Sequence, residues 1–226
     1  MRVSKNNKQF YRKILIPYNM EPQIYSTYIL LGTIIIMSLV GFNNREFLEK
    51  HLFSPYEVKH DKEYYRFITH AFLHQDFGHL IFNSITLFYF GRYFEFYLYN
   101  FYGPLPGEII FWAFALISMI ASSSIAYFRH KDNPNYRSLG FSGVGCAILF
   151  ATIMLDPGMK IALILLPIPI PAWIFGLLYL GFEIYSDRNR KTNIAHDAHI
   201  SGAVFGIIFI LITNIEQVIF AFQNLL

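Results

Sequence analysis

Charge is what this sequence has least of. Only 15% of its 226 residues are Asp, Glu, Lys or Arg, where a soluble domain carries about a quarter. That shortfall argues against a water-facing globule. Cysteine is almost missing as well: Cys146 stands alone, so an internal disulfide is excluded and the redox compartment goes unread. There is no internal repeat and no low-complexity tract. A cleavable signal peptide is not expected either. The opening "MRVSKNNKQFYRK" is basic, but the apolar run that follows is too long and has no small-residue cleavage site. With a net charge of only +3, residues 1–23 read as a basic cytoplasmic leader beside anionic lipid, and no nucleic-acid partner is expected.

Apolar residues, by contrast, make up 54% of the chain. Uncharged spans cover 24–44, 77–91, 109–128, 138–155, 161–182 and 198–215. Crossing the hydrocarbon core takes roughly 20 apolar residues, with a range of about 17–25. The second span reaches that length if Arg92 and Glu95 lie in the far interface. The fifth contains Pro167, Pro169 and Pro171, so its helix is expected to start near Pro171 after an extended entry. The expected fold is an all-α integral membrane bundle of six transmembrane helices over 24–226. The loop after the first span, rich in aromatic and charged residues, should lie in the interface.

Orientation is contested within the sequence. With the N-terminus inside, the inner side carries 7 Lys and Arg and the outer side 11. The basic leader favours the inside and the first helix usually dominates, so an inside, cytoplasmic N-terminus is expected, in a bacterial plasma membrane.

Polar groups inside a bilayer are costly, and each is a functional hypothesis. The second span opens on His79 and Asn83, four residues apart and so on one helical face. The fourth opens on Ser142 and the sixth on His199. Spans two, four and six cross in the same direction, so all three sets lie on one side at similar depth. The sixth span also carries a small-residue face, Gly202, Ala203 and Gly206. The fourth offers Gly143, Cys146, Ala147 and Ala151, and two such faces let helices approach backbone to backbone. That contact would bring the Ser142 hydroxyl to the His199 imidazole. Serine needs a base to become a nucleophile, and histidine is the usual one. Free N–H groups at the start of the fourth helix, that of Ser142 among them, and the side chains of His79 and Asn83 are candidate oxyanion donors. Asp197, two residues from His199, would point elsewhere on a helix, so the expectation is a Ser–His dyad.

These residues resemble the rhomboid family of intramembrane serine proteases. "GFSG" (140–143) is similar to its nucleophile motif, and "AHISGAVFG" (198–206) to its catalytic histidine with G-x-x-x-G. "HAFLHQDFGHLIFN", "YYRF" and "GRYFE" resemble the oxyanion block, the first-loop element with Arg66, and a G-x-x-x-E element ending in a structural Glu95. The resemblance implies a six-helix bundle with its site in a water-filled cavity, transmembrane helices as substrates, and no metal or organic cofactor. Two positions depart from it. Tyr65 replaces a Trp, and Cys146 stands where many members stack an aromatic on the catalytic ring. What orients His199 is thereby left open.

Other readings have to be weighed. "GFSGVG" is no α/β-hydrolase elbow, because its fifth position is Val144 and no strand precedes it. His70-x3-His74 and His196-x2-His199 suggest a histidine-box metal enzyme, but paired His-His and H-E-x-x-H are missing. His70 and His74 read instead as structural. A non-catalytic protein that binds membrane helices is the remaining alternative, and such relatives typically lose the serine or the histidine. The expected partners are therefore transmembrane protein substrates and the lipid bilayer. Oligomeric state leaves no signal.

Overall fold

The computed structural model of the protein describes residues 25–163, 166–189 and 194–225. The basic leader read over 1–23 lies outside them. Helical rods occupy each of the six apolar spans. The first is α1 (Ser26–Asn43). The loop after it folds into α2 (Arg45–His51), α3 (Pro55–His60), α4 (Arg66–Thr69) and a 3-10 turn at His70–Phe72. The second rod is α5 (Phe77–Thr86), a π-turn at Leu87–Gly91 and α6 (Arg92–Tyr102), so the short apolar span does continue past Arg92. Then come α7 (Pro104–His130), α8 (Ser142–Leu155), a hairpin of β1 (Lys160–Leu163) and β2 (Leu166–Pro171), α9 (Ala172–Asn189), α10 (His196–Thr213) and α11 (Ile215–Gln223). The result is a helical membrane bundle. By length and composition α1, α7 and α10 are each able to cross a membrane.

Local chemistry sets the boundaries. Asp76 caps α5 by accepting from the His79 N–H at 2.8 Å, and Asn44 caps α2 through the Phe47 N–H at 2.9 Å. The prolines of the fifth span keep its entry extended, pairing antiparallel as Lys160↔Pro171 and Ile161↔Ile170. The helix then begins at Ala172, next to the expected Pro171. Glu95, read as structural, caps α1 from a distance: its two carboxylate oxygens accept the N–H groups of Ser26 and Thr27, both at 2.8 Å. A carboxylate at a helix N-terminus meets free donors and the positive end of the helix dipole.

At the centre lies α8, with twelve of its fourteen residues buried. It rises only about 21 Å, short of the roughly 30 Å hydrocarbon thickness, so it cannot bring both ends to the bilayer surface. Its contact with α10 is backbone to backbone. A Cβ added to Gly202 would drive into the carbonyl of Gly143, and one added to Gly206 into that of Ala147. The expected small-residue faces thus meet at Gly143 and Ala147. Cys146 is turned away from that seam, toward α9. On the other flank of α10, Phe205 and Phe209 pack on Phe114 of α7 at 5.3 and 4.8 Å between ring centroids.

The first loop is a folded unit built around Arg66, 5% exposed. Its guanidinium pairs with Glu57 and Glu63, both at 2.6 Å, and donates to the carbonyls of Glu49 and Leu52 at 2.8 and 2.7 Å. Phe53 and Ser138 exchange two backbone hydrogen bonds, tying this loop to the chain just ahead of α8.

Candidate active site

Ser142 is the first residue of α8 and His199 lies in the first turn of α10. Their approach follows from the Gly143–Gly202 contact, because each polar residue sits within a turn of that point. His199 Nε2 and Ser142 Oγ are 2.7 Å apart. The pairing expected from span parity is present.

The other imidazole nitrogen is held from α9. Glu183 Oε2 lies 3.0 Å from His199 Nδ1, and the Tyr179 hydroxyl 3.4 Å from it. Tyr179 also reaches Cys146 Sγ at 3.2 Å. The expectation of a dyad without an acid is therefore corrected. A carboxylate faces the His199 imidazole, while Asp197 points to Arg129, 3.7 Å away. What orients the ring is an acid and a hydroxyl on α9, one turn apart, rather than an aromatic on α8.

Glu183 has no role assigned by the sequence reading, because it directly follows the uncharged span 161–182 and looks like its boundary. Two signals in the sequence mark it. Tyr179 and Glu183 share a helical face, and an odd-numbered span ends on the side where even-numbered ones begin. His196, to which the sequence assigns no role beyond the rejected histidine box, has its Nδ1 2.6 Å from the same Glu183 oxygen.

His79 lies against the backbone that leads into Ser142. Gly140 has φ +131°, and a Cβ there would come within 2.6 Å of the His79 ring while standing 3.7 Å from Ser142 Oγ. Glycine is required both for this backbone and for the ring's approach. Asn83 is buried and donates from Nδ2 to the His79 carbonyl at 2.9 Å. An amide nitrogen has a second hydrogen to offer.

Two further histidines brace this region, and both act structurally. His74 accepts from the Phe141 N–H at 3.4 Å, and its Nδ1 lies 2.8 Å from the Ser38 hydroxyl. The backbone entering Ser142 is thus anchored to α1. His70 Nδ1 donates to the Arg66 carbonyl at 2.8 Å, and its Nε2 meets Ser123 of α7 at 3.1 Å. Its own carbonyl accepts from the Gly140 N–H at 3.0 Å. Burial pushes His70 down to about 4 and His74 down to about 3, so both stay neutral.

A cleft of about 1620 Å³ opens over these groups. Ser142, His199, His79 and Asn83 line it together with aromatic residues of α5 and α9, Phe82 and Phe175 among them. The site combines a hydroxyl on a base, an acid behind the base and donors near the hydroxyl, within an apolar-walled groove.

Comparison with known proteins bears on what such a site is for. The family model of the Rhomboid domain matches residues 61–215. "RHOMBOID-like protein 12, mitochondrial" of Arabidopsis thaliana is 28% identical over 186 residues, 77% of this chain and 55% of that protein. "Rhomboid protein 1, mitochondrial" of Saccharomyces cerevisiae is 28% identical over 145 residues, 62% of this chain and 39% of that one. The chain therefore spans about half the length of the first relative, and less of the second. Both relatives are named as mitochondrial. That overturns the expected bacterial plasma membrane, and with it the cytoplasmic N-terminus.

Proposed function

The chain belongs to the rhomboid family, and from that premise we propose that it is an intramembrane serine endopeptidase of a mitochondrial membrane. Its six rods serve as six transmembrane spans, forming one domain from residue 24 onward. The observation that carries the reading is the 2.7 Å approach of Ser142 Oγ to His199 Nε2 at the start of α8.

Ser142 attacks the peptide carbonyl while His199 takes its proton at Nε2. The Nδ1 hydrogen, donated to Glu183, fixes the tautomer that leaves Nε2 free, and the carboxylate steadies the imidazolium that forms. The oxyanion is met by the Ser142 N–H, the free hydrogen of Asn83 Nδ2 and the His79 ring, each donor worth roughly 3 kcal/mol. His199 then gives its proton to the leaving amine. Water, activated by the same imidazole, releases the acyl group in the second half of the cycle. The substrates are membrane helices with small or helix-weakening residues near one end, because an intact helix hides its carbonyls from attack.

Labelling with a serine-reactive fluorophosphonate tests this directly. The parent should label, and Ser142→Ala and His199→Ala should not. Retention of label in Ser142→Ala refutes the nucleophile assignment. Cleavage of a reporter helix by a folded Ser142→Ala protein would do the same for the mechanism.

A further inference from the structure

Glu183, His196 and His199 form a donor set that proteolysis uses only in part. One oxygen, Glu183 Oε2, faces two imidazole nitrogens, His196 Nδ1 at 2.6 Å and His199 Nδ1 at 3.0 Å. All three candidate ligand atoms lie within 4.8 Å of one another. The side chains are enclosed as well: Glu183 and His196 are each 4% exposed, and His199 is 11% exposed. Orienting His199 takes the carboxylate and the Tyr179 hydroxyl. A second imidazole on the same oxygen is surplus to that task.

Two imidazoles and a carboxylate are a donor set suited to first-row divalent ions, with a position left open for water. Zinc bonds of about 2.0–2.2 Å set tetrahedral ligand atoms roughly 3.3–3.5 Å apart. Reaching that spacing opens the two Glu183 contacts, now 2.6 and 3.0 Å, by less than about 1 Å and draws the imidazole nitrogens, within 4.8 Å of each other, together by up to about 1.5 Å. The ligands come from two neighbouring helices, α9 and α10, so a bound ion also clamps these helices together.

We propose that this cluster binds a divalent transition ion of the zinc type and that occupation switches the protease off. The second half of the proposal rests on His199 being the base. As a base it keeps its hydrogen on Nδ1 and its lone pair on Nε2, toward Ser142. A metal on Nδ1 reverses this. The ring's single hydrogen moves to Nε2 and is donated to the hydroxyl, so no lone pair remains to accept the serine proton. The imidazole loses no proton in the exchange; the proton changes nitrogen. Glu183 is engaged by the ion at the same time and is withdrawn from its hydrogen bond to His199.

The test uses the full chain in detergent micelles, with Co²⁺ as the probe because its visible absorption reports ligation where Zn²⁺ is silent. The parent should bind one Co²⁺ per chain and lose the spectrum when Zn²⁺ is added. Glu183→Gln and His196→Gln should each weaken Co²⁺ binding by more than about 10-fold, whereas Ser142→Ala should keep the parent spectrum. Zn²⁺ at the concentration that displaces Co²⁺ should slow fluorophosphonate labelling of Ser142, and a chelator should restore it. Three results overturn the proposal: no saturable Co²⁺ spectrum in the parent, a spectrum that both variants retain unchanged, or a full labelling rate under saturating Zn²⁺. A parent that binds Co²⁺ in the expected pattern yet never labels bears out the metal site and refutes the protease reading instead.

Discussion

Replacing Gly202 by alanine should separate Ser142 from His199 while leaving the bundle folded. The added Cβ falls on the Gly143 carbonyl, with the carbonyl carbon at 2.9 Å and the Cα at 3.3 Å. Non-bonded carbon–oxygen contacts run no closer than about 3.3 Å, so α8 and α10 must part by about 1 Å at this level. Gly143 adjoins Ser142, and Gly202 is one turn from His199, so the displacement passes almost whole to the reacting pair. A hydrogen bond of 2.7 Å then opens beyond the usual 3.2 Å limit. Misplacement by about 1 Å costs on the order of 100-fold in rate, and the overpacking costs about 1–3 kcal/mol. The measurements are turnover of a reporter helix, fluorophosphonate labelling rate and melting in detergent. Gly206→Ala meets the Ala147 carbonyl roughly 6 Å deeper along the axis. It should cost similar stability but less activity. Gly32 and Gly181 have nothing within 4 Å of an added Cβ, so alanine at either should change neither. A folded Gly202→Ala protein that labels at the parent rate would falsify the argument that this glycine contact sets the site.

The remaining predictions test the groups around that pair. Glu183→Gln should lower kcat by at least about 100-fold with little change in KM, because an amide can donate to Nδ1 and favour the wrong tautomer; an unchanged kcat removes Glu183 from the mechanism. Arg66→Ala removes the donor to the Glu49 and Leu52 carbonyls, takes the cation from half-buried Glu63 and leaves Glu57 to Arg137 alone; it should cost about 1–3 kcal/mol, exposing the 44–76 loop to limited proteolysis. If loop and melting temperature both survive, the network has been misread. His70 has its folded pKa lowered from 6.5 to about 4, so the unfolded chain takes up protons first as pH falls. Its contribution to stability is therefore whole above about pH 6.5 and is lost progressively toward pH 4, at about 1.4 kcal/mol per unit. Chemical denaturation across that window should show a shallower slope for His70→Gln than for the parent, and equal slopes count against a buried neutral ring.

Much of the site was readable along the chain because a bilayer makes polarity expensive. Ser142, His199, His79 and Asn83 stand out as polar residues opening apolar spans, and the direction of successive crossings puts them on one side. Gly202 and Gly206 disclosed the seam by their spacing alone. Glu183 escaped because charge served as punctuation: an acid at the edge of an apolar run looks like a boundary whether it faces water or a histidine. Cys146 shows the same limit. Its place on α8 suggested a missing aromatic, but the residues that hold the ring come from α9, thirty-three and thirty-seven positions away.

Periodicity and hydrophobic length, set by covalent order, are enough to specify helices, their boundaries and the side on which their polar ends emerge. They determined a helical membrane bundle with an alcohol and an imidazole at one level. Which carboxylate stands behind that imidazole, and that it also meets His196, was decided only by how α9 packs beside α10. The rotation of one helix about its axis against another depends on side-chain fit across the whole contact, and no local pattern in either segment encodes it.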